Sequence, residues 1–150
     1  MDLGPVLRDV QEIGAALAEG KPVQVTLDAP ESLPVRGSVG GLRRLLLNLV
    51  SNAVKFTDAG TVALRAAEET TGDGARRVRV SVRDTGTGIA AEHLPRVFDR
   101  FYRVDEARER GGSGLGLAIA RMIAEQHGGT LEAHSAPGAG SEFVLTLPLP

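Results

Sequence analysis

Asn48, Asn52 and Lys55 stand at positions i, i+4 and i+7. On a helix, at about 100° per residue, they fall within roughly 60° of circumference. Leu42, Leu46, Leu49 and Ala53 lie on another side and would face a core. Asn is a mediocre helix former, so two on one stripe make poor filler. An Asn carbonyl oxygen is a neutral hard ligand that Mg²⁺ accepts beside waters and phosphate oxygens. Lysine supplies a point charge for a phosphate. The competing reading is a solvated helix face.

Two glycine-rich segments carry complementary chemistry. Asp84-Thr85-Gly86-Thr87-Gly88 follows an alternating run. Its glycines permit a tight turn and close backbone approach. Asp84, at a strand end, is an acceptor-only carboxylate that suits an exocyclic amine such as N6 of adenine. Gly111-Gly112-Ser113-Gly114-Leu115-Gly116-Leu117 opens a helix, and bare N–H groups at a helix start attract phosphate. Its competing reading is a flexible connector. Lys21 and Lys55 are the only lysines, and neither sits in a P-loop context. Gly86, Gly88 and Ala91 match a dinucleotide-binding pattern, but the acid that pattern requires, ending a second strand ~20 residues on, is replaced by Asp105 in a polar loop. Neither a His-Glu-x-x-His zinc motif nor a Gly-x-Ser-x-Gly elbow occurs.

Three long helices and about five strands must position these residues. Leu3, Val6, Leu7, Val10, Ile13 and Leu17 recur at helical spacing, with Asp2 as cap and Gly20 as stop. Val23, Val25 and Leu27 alternate as a strand. A second helix spans about Ser38 to Lys55, capped by Ser38. Val62–Ala66 and Val78–Val82 alternate as strands. A short aromatic helix is expected near Pro95–Tyr102, and a third long one from about Gly114 to His127, stopped by Gly128-Gly129. Met122 reads as core packing. Strands near Thr130–Ser135 and Glu142–Leu147 flank a turn at 137–140 and form a hairpin. The fold class is a two-layer α/β (α+β) sandwich, with helices on one face of a mixed, mostly antiparallel sheet. The first helix and strand are expected inside this one domain, residues 1–150.

Composition agrees with one globular domain. Of 150 residues, 42% are hydrophobic and 24% charged, while only 3% are aromatic, so the core is aliphatic. A net charge of −2 with scattered basic residues argues against nucleic acid as the main partner. The absence of cysteine excludes disulfides and permits a reducing cytosol. No apolar run approaches the roughly 20 residues of a membrane span, so direct membrane insertion by this chain is not expected.

Together these segments resemble the ATP-binding domain of sensor histidine kinases, in the superfamily shared with gyrase, Hsp90 and MutL ATPases. Asn48-Leu-Val-Ser-Asn52-Ala-Val-Lys55-Phe56-Thr57 resembles the N box. Asp84-Thr-Gly86-Thr-Gly88-Ile89 resembles the first glycine box, and Val97-Phe98-Asp99-Arg100-Phe101-Tyr102-Arg103 the F box. Gly112-Ser113-Gly114-Leu115-Gly116-Leu117 resembles the second glycine box, and the stretch from Ser135 to Phe143 the closing hairpin motif. Five in order, at fitting spacings, cover nearly the whole chain.

The resemblance implies a Bergerat-type fold that takes ATP and Mg²⁺. It implies that Asn52 binds Mg²⁺, with Asn48 supporting the metal and phosphate region. Lys55 would contact phosphate, and Phe56 would pack on adenine. Asp84 would hold adenine N6, with Gly86, Gly88 and Ile89 beside the base. Tyr102 and Arg103 would border the nucleotide, Arg103 at the γ-phosphate. The stretch of about 104–113 would form a mobile ATP lid, with Gly112, Ser113, Gly114, Leu115, Gly116 and Leu117 around the phosphates. One departure stands before the second helix. The family has Gly-Asp, a further acid and Arg there; this chain has Gly37-Ser38-Val39-Gly40-Gly41. Gly40 and Gly41 are expected to loosen the first turn by about 1 kcal/mol each.

Hydrolases of the superfamily place a Glu four residues before the metal-binding Asn. Here that position is Asn48, a neutral amide unsuited to serve as a base. Transfer to a protein histidine is thus favoured over hydrolysis. His93, His127 and His134 all lack the context of the family's acceptor, a long helix with an acid directly following. The resemblance therefore implies that the acceptor sits on a separate dimerisation domain of the same kinase, upstream of a catalytic fragment. It implies a response regulator receiver domain as the next partner. The fragment itself is expected to be a monomer in the cytoplasm, a placement that also fits a membrane-anchored parent. The alternatives left open are a nucleotide-binding regulatory module without catalysis and, after it, an ATPase of the superfamily.

Overall fold

The computed structural model describes residues 1–102 and 116–149. Helices α1 (Leu3–Leu17), α2 (Val39–Phe56) and α3 (Gly116–Gln126) cover one face of a five-stranded sheet. The strands are β1 (Val23–Asp28), β2 (Gly60–Thr70), β3 (Arg76–Asp84), β4 (Thr130–Ser135) and β5 (Ser141–Pro148). Their order is β1-β2-β3-β5-β4, with β1 parallel to β2 and every other pair antiparallel. The mixed sandwich read from the sequence is therefore the fold, and α1 and β1 belong to it.

Period-two alternation decides which sheet face carries the core. Val62, Leu64 and Ala66 of β2, Val78, Val80 and Val82 of β3, and Phe143, Leu145 and Leu147 of β5 are all buried. The register aligns them across strands, with Leu64 opposite Val82 and Val82 opposite Phe143. The α2 side chains Leu42, Leu45, Leu46, Leu49, Val50, Ala53 and Val54 press onto this layer. Arg77, Arg79 and Arg83 point to the opposite face. There Arg77 pairs with Glu69 at 2.6 Å and Arg79 approaches Glu142 at 3.9 Å. Exposed pairs of this kind contribute little to stability.

The ends of α1 and α2 are tied down by polar groups. Asp2 accepts from the N–H of Gly4 at 2.9 Å and of Leu33 at 2.8 Å, so it caps α1 and holds the Pro30–Pro34 loop. The Leu33 and Gly4 N–H groups and the Ser32 hydroxyl hold its carboxyl below the ordinary value. Ser38 caps α2 by accepting from Gly41 N–H at 3.1 Å. His127 completes that end. Its Nε2 accepts from Ser38 N–H at 3.0 Å, and Nδ1 meets Ile123 O at 2.8 Å. A backbone N–H can only donate, so the imidazole proton sits on Nδ1. Cβ atoms at Gly37 and Gly41 would lie 2.4 Å and 3.3 Å from the ring. Of the two glycines expected to loosen the first turn, Gly41 thus makes room, together with Gly37, for the histidine ring, while Gly40 does not meet it.

Three expectations are corrected. Pro95–Tyr102 is not a helix. Only a 3₁₀ turn, Leu94–Arg96, forms, and Phe101 at φ 65° cannot continue right-handed helix. Met122 is not core, being 44% exposed; buried Ala120, Ile123 and Ala124 take the inner face of α3. Leu17, in the last turn of α1, is likewise exposed. The expected start of α3 at Gly114 lies outside the described residues; within them α3 begins at Gly116.

One glycine sets the distance between layers. A Cβ on Gly14 of α1 would lie 2.6 Å from Val50 Cγ1 and 3.2 Å from Val25 Cγ1. β-Branched side chains cannot swing aside freely. Gly14→Val is therefore expected to destabilise the domain by about 1–3 kcal/mol through overpacking, seen as a lower midpoint in urea unfolding. An unchanged midpoint would show that α1 is not packed as described.

Candidate functional site

The site is built where β3 ends and α2 ends. α2 buries one side and leaves Asn48, Asn52, Lys55 and Phe56 half-buried on another. Its C-terminus is fixed from two directions. Lys21 Nζ donates to Val54 O at 2.8 Å, placing a cation at the negative end of the helix. Buried Thr57 turns its hydroxyl back to Ala53 O at 2.8 Å. The sequence shows Lys21 only as a lysine without a P-loop context and Thr57 only as the end of the N-box stretch; neither contact is legible there, because one hydrogen bond to a helix end has no spacing signature.

Asp84, the last residue of β3, shares the inward face with Val80 and Val82 and is 4% exposed. Its Oδ1 accepts from Gly86 N–H at 2.9 Å. Burial pushes this carboxyl above its ordinary value, while hydrogen bonds from the Gly86 and Ser141 backbones pull the other way. A buried carboxylate at a strand end, with acceptor capacity beyond those two bonds, can receive a further N–H donor.

The loop after Asp84 is held by backbone on both sides. A Cβ on Gly86 would lie 2.3 Å from Phe56 O, and Thr87 N–H donates to Phe56 O at 3.4 Å. The first half of the glycine box is thus pressed onto the last residue of α2. Gly88, at φ 74°, packs on the turn between β4 and β5, where a Cβ would meet Ala136 O at 2.0 Å. Gly138 N–H donates to Thr87 O at 2.9 Å, and Ile89 N–H to Ser135 Oγ at 2.7 Å. The close approach read from these glycines includes approach to the protein's own backbone.

Asn48 faces the other side of the site. Its Nδ2 donates to Gly116 O at 3.1 Å, joining the middle of α2 to the first residue of α3. This commits the NH₂ end and leaves the amide oxygen for a cation or a water. Leu117 follows, half-buried against the core. Tyr102 is half-buried, bonded to His93 and lying 4.7 Å beneath the Arg96 guanidinium. Phe98 anchors the same segment edge-on to Phe143, at 6.0 Å, with Arg121 over its ring. Arg103, the 104–113 stretch, Gly112, Ser113, Gly114 and Leu115 lie outside the described residues. The structure therefore joins Phe56 to Gly86, Asp84 to Gly86, and Asn48 to Gly116. Tyr102 makes its described contacts within its own segment.

The raised Asp84 carboxyl has a stability consequence. Between the unfolded value near 3.8 and the higher folded value, the folded chain binds more protons than the unfolded one. Ionising Asp84 therefore costs stability as pH rises through that window. Asp84→Asn is expected to flatten this part of the stability–pH curve and to match or exceed the parent above it. Urea titrations from pH 4 upward measure it; parallel curves for both proteins would contradict the burial argument.

Comparisons with known proteins bear on this arrangement. Residues 37–150 match the family model described as histidine kinase-, DNA gyrase B-, and HSP90-like ATPase. The chain is 37% identical over 150 residues to the sensor-like histidine kinase SenX3 of Mycolicibacterium smegmatis, covering 99% of this chain and 38% of that protein. It is 40% identical over 142 residues to the phosphate regulon sensor protein PhoR of Pseudomonas aeruginosa, covering 93% and 31%. The chain thus spans under two fifths of the length of these relatives. Among solved structures, full-length ShkA in complex with AMPPNP superposes with a TM-score of 0.82 at 37% identity, covering 99% of this chain and 30% of that one. The mycobacterial sensor histidine kinase MprB gives 0.83 at 27% identity, covering 99% and 95%. The buried acid, its glycine loop and the amide-bearing helix thus sit in a shared framework: the chain belongs to the histidine kinase-, DNA gyrase B-, and HSP90-like ATPase family, as an ATPase domain of the sensor histidine kinase type.

Proposed function

We propose that this chain binds Mg-ATP and donates the γ-phosphate to a histidine on a separate dimerisation domain of the same kinase, from which a response regulator receiver domain takes it. The observation that carries the reading is Asp84, a buried carboxylate at a strand end framed by glycine backbone. It accepts a hydrogen bond from the N6 amine of adenine; guanine, with an oxygen there, is rejected. Phe56 packs on the base, and Gly86, Gly88 and Ile89 line it. Lys55 and Arg103 neutralise phosphate charge, Tyr102 borders the nucleotide, and Gly112, Ser113, Gly114, Leu115, Gly116 and Leu117 surround the phosphates.

The donor chemistry fits Mg²⁺ carried in on the nucleotide. Among the described residues, no group of three His, Cys, Asp or Glu stands close enough to cage a metal. Mg²⁺ commonly keeps waters and phosphate oxygens and takes one or two protein oxygens. Half-buried Asn52 offers such an oxygen, with Asn48 one turn away. When bound, the ion spreads the charge of the transferring group.

Asn48 supports transfer over hydrolysis. A superfamily hydrolase has Glu there to activate water. The Asn48 amide is not a base, and its NH₂ is engaged with the Gly116 carbonyl. A neutral imidazole needs no strong base near pH 7. Its nitrogen attacks the γ-phosphorus, an N–P bond forms as the bond to the β,γ-bridging oxygen breaks, and ADP leaves. The protein contributes positioning and charge neutralisation.

Mixing the chain with the matching dimerisation domain and γ-labelled ATP is expected to label a histidine of that domain and leave this chain unlabelled. Tight ATP binding without label would instead favour a regulatory nucleotide-binding module, and rapid phosphate release by the chain alone would favour an ATPase. Asp84→Ala is expected to weaken ATP binding about tenfold or more, since a hydrogen bond to a charged group is worth about 1.5–3 kcal/mol. Asn52→Ala should weaken it when Mg²⁺ is present. ATP affinity should also fall on acidification through the raised Asp84 value, beginning above the 3.8 of an ordinary carboxyl. Calorimetry across pH reads this, and a loss confined below 3.8 would remove Asp84 from the role.

A further inference from the structure

We infer that Ser135, at the end of β4, is the positioning residue that holds the base-binding loop in register, on the reading that this loop binds adenine. A serine hydroxyl has one proton and two acceptor directions. Ser135 uses all three. Its oxygen accepts from Ile89 N–H at 2.7 Å. It donates to Gly140 O at 2.8 Å, and it pairs with Ser141 Oγ at 3.0 Å. These three hydrogen bonds go to neither Asp84 nor Phe56, so the residue acts through the groups it ties.

Its three partners sit at the places that shape the loop. Ile89 is where the glycine loop leaves the β3 end. Gly140 packs its α-carbon so close to β3 that a Cβ would lie 2.0 Å from Asp84 O. Ser141 stands opposite Asp84 in the β3–β5 pairing, and its backbone N–H reaches the Asp84 carboxylate. One hydroxyl therefore fixes the distance between the loop carrying Gly88 and the turn flanking Asp84. The Gly88–Ala136 approach and the Gly138–Thr87 hydrogen bond run parallel to it, so the hairpin turn is the rear wall of the loop. Without the hydroxyl, Ile89 N–H and Gly140 O lose their partner. The loop keeps its glycines but loses the bond that sets its far end.

The test uses Ser135→Ala and the hydroxyl-retaining Ser135→Thr, with Asp84→Ala as a reference for loss of base recognition. The probes are ATP and GTP, with calorimetric affinity, thermal midpoint and backbone amide exchange read for each protein. Ser135→Ala is expected to speed Ile89 amide exchange by about tenfold or more, with core β3 amides little changed. It should weaken ATP binding by about five- to thirtyfold and narrow the ATP-over-GTP preference, because a displaced loop presents the Asp84 edge less accurately. Ser135→Thr should restore both. A purely structural residue would lower the thermal midpoint and leave the base preference intact, and that result would overturn the inference. So would Ile89 exchange unchanged from the parent. If the parent does not bind ATP, or Asp84→Ala binds as the parent does, the adenine reading itself fails. Ile89 exchange in the nucleotide-free protein then still decides whether Ser135 holds the loop.

Discussion

Backbone lies directly on backbone where β3 ends, and the site depends on that contact. Three glycines make it possible. Gly86 lies on the Phe56 carbonyl, Gly88 on that of Ala136, and Gly140 on that of Asp84, each closer than any Cβ would allow. Two of them, Gly88 and Gly140, also hold positive φ, which other residues adopt only with strain. The end of α2, the loop after β3 and the β4–β5 turn are thereby packed into one body. Asp84 stands in the middle of it, desolvated by its surroundings.

That packing explains how a charged group is kept in the interior. Burying a carboxylate is costly unless it is hydrogen-bonded. The loop turns the Gly86 N–H back onto Asp84, and the β3–β5 pairing supplies the Ser141 N–H. These bonds offset part of the cost without using all the acceptor capacity of the carboxylate. The remaining cost persists as the raised carboxyl value. A group held in this state is well suited to a ligand donor, since each added hydrogen bond to the charged form relieves a penalty already present.

Much of this was legible in the residues. The 3.6 and 2.0 periodicities set out α1, α2 and the strands β1, β2 and β3, because each turns its apolar residues to one side, while β4 and β5 are read from the hairpin turn between them. Asp2 and Ser38 were recognisable caps, and the Asn48–Asn52–Lys55 stripe fell on α2 as read. What stayed hidden was long-range and polar. His127 reads as the last residue before the Gly128-Gly129 stop, yet its ring reaches across to Ser38, and nothing between residues 38 and 127 marks that pairing. Lys21 reads only as lacking a P-loop context, yet its ammonium donates to the C-terminal end of α2. Ser135 was one residue in a hairpin motif, and its three bonds arise only once β3, β4 and β5 are in register. The 95–102 stretch failed for a local reason. Its aromatic spacing suits a helix, but Phe98 and Val97 are used to dock the segment, and the chain then reverses at Phe101.

The amide at Asn48 links α2 to α3 at the edge of the site. A side chain at this point of α2 faces the Gly116 carbonyl at the start of α3. Asn can donate to that carbonyl and still offer an oxygen on its other side. Glutamate has only acceptors when ionised, so it would set a carboxylate against the carbonyl, and one of the two would have to move. The α2–α3 contact is thus compatible with an amide and at odds with a general base. On the proposed reading, this geometry disfavours water as the acceptor of the phosphate. It leaves the reaction waiting for an imidazole brought by another domain, with α2 and α3 already joined around the phosphate side of the site.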